Sequence, residues 1–142
     1  MRFFNLLQHT SGEWAGRPFA LRPWQESIVR ELYKHDPATG RRQYRTALIM
    51  LPRKNGKTEL AAAMGLYALL ADNEPGAQVY SAAGDREQAA LVFNVAAAMV
   101  RADPVLAGLC DVVDSQKRIV YRAKGSFWRA ISSEAYTKHG FN

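Results

Sequence analysis

One continuous stretch constrains this chain more than any other: "TALIMLPRKNGKTELAAAMGLYALLA", residues 46–71. An apolar run is followed by a short cationic turn and then by a second apolar run. The first run, "TALIML" (46–51), has no polar face, the pattern of a strand buried on both sides of a parallel sheet. The second, from Lys57 to Ala71, is apolar nearly all round and predicts a buried helix. Between them stands Gly56-Lys57-Thr58, the tail of a phosphate-binding loop. The glycine that ordinarily opens such a loop, five residues before Gly56, is replaced by Leu51.

A phosphate loop needs backbone N–H groups converging on the anion, a lysine that reaches the outer phosphates, and a hydroxyl for Mg²⁺. Asn55 and Gly56 supply residues that tolerate left-handed or close-approach backbone, Lys57 the ammonium and Thr58 the hydroxyl. Lys54 and Arg53 complete the cationic turn. A strand running into the loop and a helix leaving it would place the positive end of the helix dipole under the phosphates. The bland alternative is an ordinary turn and helix start, since a bare Gly-Lys-Thr is common.

The rest of the chain frames this unit. Residues 1–22 carry Phe3, Phe4, Leu6, Leu7, Trp14 and Phe19 among Gly12, Gly16 and Pro18, and read as an arm packed on a core. "LRPWQESIVRELYKHDPATG" predicts a helix with Pro23 in its first turn and Asp36-Pro37 with Gly40 ending it. "QVYSAA" (78–83) predicts a second strand. Asp85, with Gln88 three residues on, predicts a capping box for a helix burying Leu91, Val92, Val95, Ala96 and Met99 and ending at Asp103-Pro104. "KRIVYRAKGSFWRAIS" predicts a hairpin around Ala123-Lys124-Gly125. Strand–helix–strand–helix order implies an α/β fold, a P-loop-type parallel sheet flanked by helices, here incomplete and with a C-terminal β-hairpin.

At 142 residues with 48% hydrophobic content, the chain is one modest folded domain and not a disordered tail. A formal charge of +6 suits a polyanionic partner and equally a solvated basic surface. A lone Cys110, read as a small buried hydrophobe, excludes an internal disulfide and a cysteine metal cluster. His9, His35 and His139 share no metal-ligand spacing and read as surface residues. No apolar run reaches the roughly 18 residues of a membrane helix, and the N-terminus lacks a signal-peptide core, so a soluble, reducing, intracellular setting is expected.

"PRKNGKTEL" resembles the variant Walker A loop of the large subunit of tailed-phage terminase, the ATP-driven DNA-packaging motor. "LRPWQESIV" is similar to the family's segment upstream of that loop, "YSAAGDREQAALVF" to its second strand and helix, and "SFWRAISSEAYTKHGFN" to the stretch leading to the Walker B strand. The resemblance implies that Lys57 contacts the β- and γ-phosphates and Thr58 ligates Mg²⁺. It implies that Lys54, Asn55 and Gly56 cradle phosphate and that Arg53 stabilises the γ-phosphate. Gln25 would read the adenine edge, because its amide both donates and accepts. The plain readings are an exposed helix-start residue for Gln25 and a surface ion pair for Arg53; Trp24 reads as core packing.

The resemblance also implies ATP and Mg²⁺ as cofactors, double-stranded DNA, a terminase small subunit and a portal protein as partners, a ring of identical subunits, and the bacterial cytoplasm. The acidic strand-end pair such ATPases need, and the family's nuclease domain, have no counterpart in these 142 residues. The expectation is a partial ATPase domain over 23–142 behind an arm over 1–22, inactive by itself. Two other readings stay open: another P-loop nucleic-acid ATPase of helicase type, or a non-catalytic prophage remnant that binds DNA or a partner through the hairpin bases Lys117, Arg118, Arg122, Lys124 and Arg129.

Overall fold

The computed structural model describes residues 1–133. Glu134, His139 and most of the stretch expected to lead to a Walker B strand lie outside the described residues. In order, the chain forms α1 (Pro23–Leu32), α2 (Lys57–Leu70), β1 (Gln78–Ala83), α3 (Arg86–Ala102), α4 (Pro104–Leu109), β2 (Cys110–Val113), β3 (Arg118–Tyr121) and β4 (Ser126–Ser132). The strands make one sheet in the order β1-β4-β3-β2.

The architecture is α/β, but the sheet is mixed. β1 runs parallel to β4, with Gln78 beside Phe127 and Ala83 beside Ser132. β2–β3 and β3–β4 are antiparallel. The expected hairpin is β3–β4, turned through Arg122–Lys124 and closed by Gly125 at φ 61°. Alternation along the strands sorts the two faces. Val79, Ile119, Trp128 and Ala130 belong to the core, whereas Gln78, Tyr80 and Arg129 are exposed. Both long helices pack on the core side: Leu60, Ala63 and Leu66 of α2 and Phe93, Ala96 and Val100 of α3 close over the sheet.

α2 seats unusually close. A Cβ added at Gly65 would lie 2.9 Å from the Trp128 ring, whose Nε1 donates to Ser81 Oγ at 3.1 Å. At its far end, Asn73 turns left-handed at φ 60°. Tyr33, just past α1, donates its hydroxyl to Met64 O at 3.1 Å, and Arg42 lies over the Tyr33 ring while pairing with Asp72. These contacts tie α1 and the following connector to α2. Burial pushes the Tyr33 phenol up to about 12.

Three expectations fail here. The run 46–51 forms no strand: Leu48 is 86% and Met50 82% exposed, and only Leu51 turns its side chain toward the core. A strand buried on both faces needs hydrogen-bonded neighbours, and none of the described strands pairs with this run, although β1 stands at the edge of the sheet with one side open. On α3 the buried face is Ala89, Phe93, Ala96, Ala97, Met99 and Val100; of the face read in sequence, Ala96 and Met99 are buried and Val92 and Val95 pack half-buried against the core, but Leu91 is exposed. The cap is half of a box, Asp85 accepting from Gln88 N at 2.8 Å. Beyond it, α4 and β2 were not foreseen. Asp103 accepts from Val105 N and Leu106 N at 2.9 and 3.0 Å, restarting the chain as a helix at Pro104.

Candidate functional site

The cationic turn between Leu51 and α2 is held by its own side chains. Asn55 Nδ2 donates to Pro52 O at 3.3 Å and Arg53 O at 3.4 Å. The left-handed residues are Lys54 (φ 63°) and Gly56 (φ 67°), not Asn55, which works through its amide instead. Gly56 is the N-cap of α2, and no side chain caps the helix there. Its first-turn N–H groups and the positive end of the dipole therefore face the turn without a side-chain acceptor, the arrangement that binds phosphate.

The atypical Leu51 has two uses. Its side chain packs against the core, and its carbonyl accepts a hydrogen bond from Lys57 Nζ at 3.0 Å. A main-chain acceptor does not require glycine, so replacing that residue leaves the lysine's internal anchor intact.

Gln25 is brought to the turn from α1. It is 6% exposed, against the plain reading of an exposed helix start. Its Oε1 accepts the Arg22 N–H at 2.9 Å, capping α1, and this fixes which end of the amide faces which way. Its Nε2 lies 4.0 Å from where a Gly56 Cβ would stand, beside the cationic turn. Trp24 packs half-buried against the core.

A cleft of about 540 Å³ joins these groups, within the usual range for a small-molecule site. Gln25, Lys54, Asn55, Gly56, Lys57 and Thr58 all line it. Arg53, expected to act on the γ-phosphate, is exposed and does not line it. A further wall comes from the N-terminal arm: His9, Trp14 and Phe19. The sequence reading missed these three, placing His9 on the surface; nothing local to residues 9–19 signals a partner some 40 positions downstream.

Four of the five hairpin bases are engaged within the fold, and Arg129 is exposed. Arg122 pairs with Asp111 and donates to Gly108 O at 2.7 Å, and Lys124 bonds Asn73. Lys117 lies over Phe93 and Arg118 over Phe127. Arg101, also basic, pairs with Asp114, whose carboxyl is held below its usual range by that hydrogen bond.

The family model described as "Terminase large subunit, ATPase domain" matches residues 23–142. The chain belongs to this family. The large terminase subunit of Enterobacteria phage HK97 is 33% identical over 132 residues, covering 92% of this chain and 25% of that protein. The crystal structure of the HK97 bacteriophage large terminase superposes with a TM-score of 0.84 at 31% identity, over 99% of this chain and 28% of that one. The chain thus spans about a quarter of the relative's length. The α/β sheet with helices, the glycine-capped turn and the family match agree, and the helicase and remnant readings are not favoured.

Proposed function

We propose that the cleft between α1, the arm and α2 binds ATP, and that in the full-length protein this ATPase domain powers translocation of double-stranded DNA. The observation that carries the reading is the convergence on one cleft of Lys57, Thr58 and the open N-terminus of α2. Lys57 holds the β- and γ-phosphates, the N–H groups at Asn55 and Gly56 cradle them, and Lys54 adds positive charge at the rim. Thr58 offers a hard oxygen donor, the kind Mg²⁺ takes. The ion would neutralise charge on the phosphate oxygens. Gln25 reads the adenine edge through the second lone pair of Oε1, which can still accept from an exocyclic amine, and its N–H₂, which lies beside Gly56, turns to the base when the ligand binds. Arg53 reaches the γ-phosphate only with a change in the turn. Among the described residues no group of three or more His, Cys, Asp or Glu side chains could hold a metal ion.

A terminase small subunit, a portal protein and further copies of the chain in a ring are the partners this reading expects, in the cytoplasm of a bacterial host. No helix among the described residues is long and apolar enough to cross a membrane. Calorimetric titration with Mg·ATP tests the site. The chain should bind, and Lys57→Ala should weaken binding by tenfold or more, since charge-assisted contacts to phosphate contribute about 1.5–3 kcal/mol each. Steady-state phosphate release by the 142-residue chain should stay at background with DNA present. Equal binding by wild type and Lys57→Ala would remove the proposal.

A further inference from the structure

The cleft has two chemically different ends. One is cationic and rich in N–H donors, built from Lys54 to Thr58; the other is aromatic, built from His9, Trp14 and Phe19. We propose that the arm supplies the base-stacking wall of the nucleotide site, with Trp14 as the residue that stacks on the purine and His9 beside it. The proposal rests on the nucleotide reading above and goes beyond it, because it assigns a specificity role to a segment that precedes the matched family region at residue 23.

The arm is built as a fixed wall. Its two limbs close on each other: His9 N donates to Arg17 O at 2.9 Å, Gly16 N to His9 O at 2.8 Å and Phe19 N to Leu7 O at 2.7 Å, around an antiparallel bridge between Gln8 and Pro18. Phe4, Leu7 and Phe19 anchor these limbs in the core. The His9 ring rests on Phe19 at a centroid distance of 5.0 Å. Trp14 stands 6.4 Å from His9 and stays 49% exposed, with the Arg17 guanidinium 5.1 Å from its ring centroid.

A large indole left half open at the mouth of a cleft is a surface that a flat π-system covers without displacing packed side chains. Gln25 lines the same cleft and faces the turn with its amide N–H₂. A ligand with a triphosphate at one end and an aromatic base at the other matches this order of groups. A plain polyphosphate would use only the cationic end.

That difference gives the test. Calorimetry compares Mg·ATP with inorganic tripolyphosphate on the wild type, Trp14→Ala, Trp14→Phe and Lys57→Ala, with circular dichroism confirming that each is folded. Trp14→Ala should weaken ATP about tenfold or more, by the usual size of base–aromatic stacking, and leave tripolyphosphate unchanged. Trp14→Phe should recover most of the ATP affinity. Lys57→Ala should weaken both ligands. If Trp14→Ala weakens both ligands equally, or neither, the arm proposal is overturned while the phosphate loop stands. If the wild type shows no Lys57-dependent binding of either ligand, the loop reading fails and the arm proposal falls with it.

Discussion

Gly65 sits in the middle of α2, where glycine is a poor helix residue, and changing it to alanine ordinarily stabilises a helix by about 1 kcal/mol. Here the sign should reverse. The added methyl would stand 2.9 Å from Trp128 Cη2 and 3.1 Å from two further ring carbons. Ordinary contact begins several tenths of an ångström further out. The ring cannot step aside easily: Trp128 is 1% exposed and its Nε1 is engaged with Ser81. Overpacking a rigid core site costs about 1–3 kcal/mol. Taking about 2 kcal/mol and subtracting about 1 for propensity leaves a net loss of about 1 kcal/mol. Urea unfolding followed by circular dichroism should show Gly65→Ala with a midpoint about 0.5 M lower, at an m-value near 2 kcal/mol/M. Ala61→Gly, at an exposed position of the same helix, supplies the propensity alone and should lose about 1 kcal/mol. If Gly65→Ala gains what Ala61→Gly loses, the close seating of α2 on Trp128 is wrong. The stake is functional as well, since α2 carries Lys57 and Thr58 at its first turn.

Two further outcomes can be checked on the same chain. Asp103→Ala removes an acceptor from two backbone N–H groups and should cost about 1–2 kcal/mol of unfolding free energy in the urea assay. The Tyr33 phenol rises from 10.0 to about 12 on burial, so the folded state holds this proton more tightly than the unfolded one. Its contribution is complete below pH 10 and is lost as pH rises toward 12. A Tyr33→Phe chain should therefore lose less stability than the wild type between those pH values, and parallel curves would refute the buried setting of the ring.

How much the sequence disclosed depends on the range of the interactions involved. β1 has the bounds read from "QVYSAA", and α2 ends within one residue of its expected limit, because alternation and helical apolarity are local properties. The β3–β4 turn was legible because a glycine marks it. The run 46–51 shows the limit. Its apolarity was visible, but whether an apolar run becomes a strand depends on a neighbour that its own residues do not specify. Helix α4 is only six residues long and follows Asp103-Pro104, which reads as a stop and here acts as a restart. At the site, Lys57, Thr58 and Gly56 were legible from spacing, while the wall from the arm was not. Trp14 and His9 come to line the cleft only through packing of the arm, and Arg53, adjacent in sequence to Lys54, does not line it.

The parallel pairing of β1 with β4 sets a schedule for the chain's birth. Gln78 leaves the ribosome 49 residues before its partner Phe127, and β4 is the neighbour through which β1 joins the sheet. At about 5–20 residues per second, β1 waits roughly 2–10 seconds before its partner has been made. The helices α2 and α3 can coil and meet during that interval, but Trp128, against which Gly65 must seat, arrives only with the last strand. A pause in synthesis anywhere between Ala83 and Phe127 would lengthen the time that β1 spends unpaired, and would delay the step that fixes the helix bearing Lys57 and Thr58.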